Sequence, residues 1–148
     1  MKLVTMVALA VGPAVMSGGH IAAHHSFEGE FDNSVAVTIS GVVTSVEMVN
    51  PHSWIYLDVQ ADGAVERWAL EGPGPFSIQR RGFDTGFIKA GDELGACGYL
   101  ARADATTTKR DPQTGRAARK MQAAVLTTPA RVRFVWNNYR QQKCGLDR

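Results

Sequence analysis

Few side chains of this protein could hold a metal. Four histidines and two cysteines supply every imidazole or thiol ligand in 148 residues. The cysteines, Cys97 and Cys144, lie far apart, and no C-x-x-C or Cys/His cluster of zinc spacing accompanies them. A closed zinc site wants four ligands and no cysteine pair is available, so zinc is a weaker expectation than copper. There is no G-x-S-x-G, no H-E-x-x-H, no phosphate loop and no dinucleotide fingerprint. No nucleophile and base, and no pair of carboxylates facing a cleft, can be read from the spacing. The expectation is a binding or accessory module and no enzyme; a copper-dependent oxidative activity is the only concrete catalytic form left. The formal net charge is +2, too small to imply an acidic partner. Nucleic acid is disfavoured on that ground, despite the cluster Lys109, Arg110, Arg116, Arg119 and Lys120, which reads as solvation of a loop.

What is present begins with an apolar leader. Lys2 is followed by an apolar run from Leu3 to Met16, then Ser17-Gly18-Gly19, and small residues at Ala22-Ala23. This is the pattern of a secretory signal peptide and is too short for a membrane-spanning helix. Cleavage after Ala23 is expected, because cutting one residue earlier would set His20 at a position signal peptidase accepts poorly. The expected organisation is a signal peptide over 1–23, a barrel domain over 24–136 and a flexible tail over 137–148. The implied location is the periplasm or the exterior, with no membrane span after processing. Removing 1–23 takes away one charge, that of Lys2, and leaves His24 as the first residue. In an oxidising compartment two readings of the cysteines stand. They pair, with a loop-closure stabilisation of about 4 kcal/mol, or Cys97 is a buried hydrophobe and Cys144 a tail thiol.

The remainder reads as all-β. Residues 35–48 are rich in Val, Thr and Ile, with Val37, Ile39 and Val43 on one face and then a change of phase to Val46 and Met48. Gly41 near the middle suits a strand that bends and serves two sheets. Residues 53–59 alternate, with Ile55, Leu57 and Val59 inward and Trp54, Tyr56 and Asp58 outward. Asp62-Gly63 is a hairpin signal, and 65–71 forms the partner strand with Trp68 and Leu70 on one face. A short helix over 76–81 ends at Gly82. Two further strands are predicted over 93–101 and 120–127, joined by a long polar loop, with an edge strand over 131–136 and an unstructured tail after it. Three strands, a helix between strands 3 and 4, then two strands fit a small five-stranded OB-like Greek-key barrel. An open meander or small sandwich has the same strand count.

The motifs His24-His25-Ser26-Phe27, Asn50-Pro51-His52-Ser53-Trp54, Trp68-Ala69-Leu70-Glu71, Arg80-Arg81-Gly82 and Lys89-Ala90-Gly91-Asp92 resemble a family of small exported bacterial proteins carrying a domain of unknown function. The resemblance covers most of residues 20–127 and implies export and a small barrel. The chain departs from that pattern in its tail after Thr128 and in its two cysteines.

The histidines carry the sharpest functional expectation. An amino-terminal His24 offers its amine and imidazole as a chelate, and His25 or a folded-in His52 completes a three-nitrogen set of the kind copper favours. The amine, with a pKa of about 7.7–8.0, and imidazole, about 6.5, lose their protons cheaply to a strongly binding divalent metal. Pro51 fixes the approach to His52, and Met48 nearby is a candidate soft ligand. The bland reading is a solvated His24-His25 end and a strand-end His52 bonded to backbone. The alternative function is a metal-free barrel that takes a small ligand or a periplasmic partner protein on Trp54, Tyr56 and Arg67. Glu71 reads as an ion-pair partner of Arg80 or Arg81, tying the short helix to the third strand.

Overall fold

The computed structural model describes residues 26–129, 133–136 and 141–144. Its elements are α1 (Phe27–Glu30), β1 (Val37–Met48), β2 (His52–Ala61), β3 (Ala64–Pro73), α2 (Pro75–Arg80), β4 (Glu93–Leu100), β5 (Thr108–Arg110), β6 (Ala117–Thr127), β7 (Arg133–Val135) and a closing 3-10 turn (Gln141–Cys144).

β1 carries out the division of labour that its sequence phase suggests. Its first half, Val37 to Val42, pairs antiparallel with β4, and its second half, Val42 to Met48, pairs antiparallel with β2. A bulge between Val43 and Ser45 changes the face that points inward, which is how one strand turns the corner of a barrel. Gly41 is needed just before the bulge, because a Cβ there would sit 2.3 Å from the carbonyl oxygen of Asp58. β2 and β3 form a hairpin over Asp62 and Gly63, whose φ values of 49° and 80° are those of a primed two-residue turn. β4 pairs with β6, and β6 runs parallel to β3 over Arg119–Gln122 against Trp68–Glu71. That last pairing closes β1, β2, β3, β6 and β4 into a five-stranded barrel with α2 between β3 and β4. The OB-like Greek-key layout is thus the observed one.

Inside lie Val43, Ile55, Leu57, Trp68, Leu70, Leu94, Met121 and Leu126, at alternate strand positions save that β6 changes phase between Met121 and Leu126 at its irregularity opposite Cys97 and Gly98. Ile55, Leu57 and Leu70 are fully buried, and each such side chain contributes about 2 kcal/mol relative to an exposed one. One end of the barrel is stoppered by Ile78 of α2, by Ile88 and by Trp136. Trp136 stacks where Gly72 leaves room: a Cβ at Gly72 would meet its Nε1 at 1.8 Å. Phe87 lies 5.9 Å from the Trp136 ring, and Arg81 donates to the Trp136 carbonyl at 2.9 Å. Among the described residues no helix is long and apolar enough to cross a membrane.

Three short elements depart from the expected layout. α1 has a single turn, too brief for a periodic signal, and its N-cap is Ser26, whose hydroxyl accepts from the Gly29 amide at 3.2 Å. β5 is a three-residue strand inside the polar loop between β4 and β6. The segment expected to be an unstructured tail contains the Gln141–Cys144 turn, tied down by a Cys97–Cys144 disulfide.

Candidate functional site

The outward side of the β2–β3 hairpin is the side that carries chemistry. Strand alternation puts His52, Trp54, Tyr56 and Asp58 of β2 on it, opposite Pro73, Glu71, Ala69 and Arg67 of β3. β1 adds Ser45 and Glu47 opposite Tyr56 and Trp54. The expected outward direction of Trp54, Tyr56 and Arg67 is correct, but the expected accessibility is not. The loop that carries β5 folds over the middle of this face, so Tyr56 and Arg67 are buried and Trp54 is half-buried.

The cover is fastened by a polar network centred on Asp111, which has no solvent exposure. Asp111 Oδ2 accepts from Ser45 at 2.9 Å, from Thr114 at 2.8 Å and from Arg67 at 3.3 Å, while Oδ1 accepts from the Gln113 amide at 2.9 Å. Burial pushes this carboxyl up, but hydrogen bonds from Thr114, Gln113 and Ser45 outweigh it and hold the group below its usual value. Arg67 also reaches Asp58 at 2.9 Å. Tyr56 donates to Glu47 at 3.0 Å; burial first, then Glu47, pushes its phenol well up. Lys109 lies 5.0 Å over the Trp54 ring and 3.6 Å from Glu47. The arrangement is a second, polar layer that covers the middle of the face.

At the open end of the same face the chemistry differs. His52 begins β2, its side chain 46% exposed, and its Nδ1 lies 2.5 Å from Oε1 of Glu71, which is only 4% exposed. The Glu71 carboxyl is pushed up to about 7, by burial first and then by the charge of Glu30, with Lys120 and Lys109 opposing. Glu30 pairs with Lys120, a buried lysine whose Nζ also stands 5.3 Å from the Phe31 ring. Lys120 therefore belongs to the interior of this site and not to a solvated basic loop. Glu71 meets His52 and neither arginine of the short helix; Arg80 lies over the Phe76 ring at 4.7 Å, and Arg81 serves Trp136. The Asn50–Pro51 bond ahead of His52 is cis. Gly74 permits this turn to approach α2, since a Cβ there would stand 2.6 Å from the Pro51 carbonyl oxygen.

Nδ1 is the ring nitrogen turned to Glu71, which leaves Nε2 as the nitrogen without that contact. Met48 does not share this face: it is the register partner of Ser53 and packs toward the core. His24 and His25 lie outside the described residues. Among the described residues no three His, Cys, Asp or Glu side chains come together as a metal site, and His52 stands as a single ring beside Glu71.

The family of unknown function DUF6152 has a sequence model that matches residues 14–110, about two thirds of the chain. The chain belongs to this DUF6152 family. The match takes in both histidine motifs and Glu71, and it ends at the close of β5, ahead of the β6 strand that seals the barrel. No curated protein matches the sequence. Membership in DUF6152 adds no activity, so the chemistry rests on the residues themselves. Sequence reasoning missed Glu30, Lys120 and Asp111 as members of this face. The one available signal was spacing: Ala118 and Lys120 alternate in β6 with the core residue Met121 in opposite phase.

Proposed function

We propose that this protein is an exported, soluble OB-like barrel that acts as a binding or accessory module and holds Cu(II) through His24, His25 and His52. The single observation that carries the reading is the 2.5 Å contact between His52 Nδ1 and the buried Glu71 carboxylate. A ligating imidazole characteristically donates its second N–H to a carboxylate, which fixes tautomer and ring orientation and raises the basicity of the other nitrogen. An exposed strand-end histidine with no ligand to serve gains little from a buried carboxylate that is costly to ionise.

The remaining ligands come from the new amino end. Removal of residues 1–23 as a signal peptide leaves the His24 amine and ring next to His25, and His25 directly precedes Ser26, the cap of α1. α1 is anchored near Glu71 through the Glu30–Lys120 pair. An all-nitrogen set suits Cu(II) by ligand type and by the order of divalent metal affinities. The alternative of a metal-free aromatic face keeps only Trp54 within reach of a ligand, because Tyr56 and Arg67 are buried.

Intact mass of the exported chain, with and without Cu(II), tests both halves of the proposal. One equivalent bound to a chain beginning at His24 is expected. His52→Ala should abolish the tight site, and Glu71→Gln should weaken it about tenfold, as loss of the ionised partner of a ligand does. A chain that begins elsewhere, or an H52A variant that binds Cu(II) as tightly as the parent, would overturn the reading.

A further inference from the structure

The two ends of the described chain meet on one side of the barrel. Phe31 is buried, bridges to Ala101 across the β4 end, and packs with Phe27, Tyr99, Val125, Cys97 and Cys144 in a cluster separate from the main core. Phe27 stacks on Phe31 and meets Tyr99 edge-on, both at 5.6 Å. The disulfide stands within this cluster and pins the Gln141–Cys144 turn to β4. From that turn Lys143 Nζ donates to the carbonyls of Asn33 and Ser34 at 2.7 and 2.8 Å. Arg133 of β7 in turn donates to the Cys144 carbonyl. The segment from Phe27 to Ser34 is thus gripped on one side by Lys120 and the β4 edge, and on the other by a turn that the disulfide alone holds covalently.

We infer that the Cys97–Cys144 disulfide and Lys143 form a clamp that sets the position of the amino-terminal arm, and through it the affinity of the copper site. The consequence for copper rests on the function proposed above; the grip on the arm does not. A dithiol reductant opens the clamp: the reductant is oxidised to its own disulfide, and Cys97 and Cys144 each gain one electron and one proton. The freed turn withdraws Lys143 from the Asn33 and Ser34 carbonyls. α1 keeps its ring contacts, the Glu30–Lys120 pair and the backbone bonds Asp32 N–H to Leu100 and Arg102 N–H to Glu30, both 2.9 Å. Loss of the two Lys143 bonds and the covalent tie moves the arm toward the low-stability end of the molecule. If the released arm is docked about a tenth of the time, the apparent copper affinity falls about tenfold.

The test uses the full mature chain. Hydrogen exchange of the Phe31 and Asp32 amides is measured without metal in the oxidised protein, in Cys144→Ser and in Lys143→Met, with the Ile55 and Leu57 amides as the barrel reference. Lys143→Met leaves the disulfide intact, so it decides the matter if Cys144→Ser fails to fold. Faster exchange at Phe31 and Asp32 with an unchanged barrel is expected in both variants, and Cu(II) titration should show the fall in affinity. Unchanged arm exchange in Lys143→Met overturns the clamp. A loosened arm with unaltered Cu(II) affinity, in a protein whose site His52→Ala destroys, overturns the coupling. If His52→Ala leaves copper binding intact, the proposed function fails, and arm exchange alone then decides the clamp.

Discussion

Two buried carboxylates on the same barrel face, Asp111 and Glu71, are treated in opposite ways. Asp111 accepts four hydrogen bonds, three from side chains and one from backbone, and is held below its ordinary pKa. Glu71 faces one half-exposed imidazole across 2.5 Å and is pushed up to about 7. Donors saturate the first and fix a loop; the second is left dependent on what its histidine does. A buried charge that is fully bonded is architecture, whereas one that is sparsely bonded and adjoins solvent is free to respond.

The most severe way to break the contrast is to remove Asp111. Asp111→Ala strips Arg67 of one buried partner and leaves Asp58 as the other, and should cost about 3–5 kcal/mol. Urea unfolding followed by tryptophan fluorescence reads it, and a loss comparable to a surface substitution would place the two carboxylates in one class.

The contrast sharpens with pH, because the signs differ. Glu71 binds its proton more tightly in the folded state, at about 7 against an ordinary 4.5, so the folded chain holds more protons between those values. Stability should therefore fall as pH rises from about 4.5 to about 7, by up to about 3 kcal/mol. Glu71→Gln should flatten that limb, since the amide has nearly the same size and does not titrate. Asp111, whose folded pKa lies below its ordinary 3.8, contributes stability that is present above 3.8 and lost as pH falls toward the folded value. Denaturation midpoints across pH 3 to 8 for the parent and both variants separate the two limbs.

Smaller effects follow from the surroundings of His52. Gly74→Ala should press on the Pro51 carbonyl, cost about 1–2 kcal/mol and move the His52 ring resonances while leaving those of Thr114 in place. Ser53 is buried on the core side with an unpaired hydroxyl. Ser53→Ala should be neutral or stabilise by less than about 1 kcal/mol, measured against the same urea curve.

The barrel was largely legible because its strands obey period 2. Ile55, Leu57 and Val59 against Trp54, Tyr56 and Asp58, the phase change after Val43, and the Asp62-Gly63 turn together define three strands and a bend. The face of Tyr56 and Arg67 was legible for the same reason, but its cover was not. A loop of Thr, Lys, Asp and Pro reads as solvated until Asp111 finds Ser45 and Arg67, residues remote in sequence. Lys120 likewise looks like part of a basic surface, and only the docking of Glu30 and Phe31 buries it. His52 stood out by rarity; that Glu71 would face it, and that Met48 would turn inward, depended on the register of β2 with β3 and β1. Single-turn elements such as α1 carry too few residues for any period.

The parallel seam between β3 and β6 has a bearing on biogenesis. Every stave but one is available early, yet β4 and β3 each keep an open edge until the Ala117–Thr127 segment slots between them. A chain that emerges amino end first has no complete cylinder to form before that late segment appears. It stays pliable until nearly all of its length is free, and only then locks.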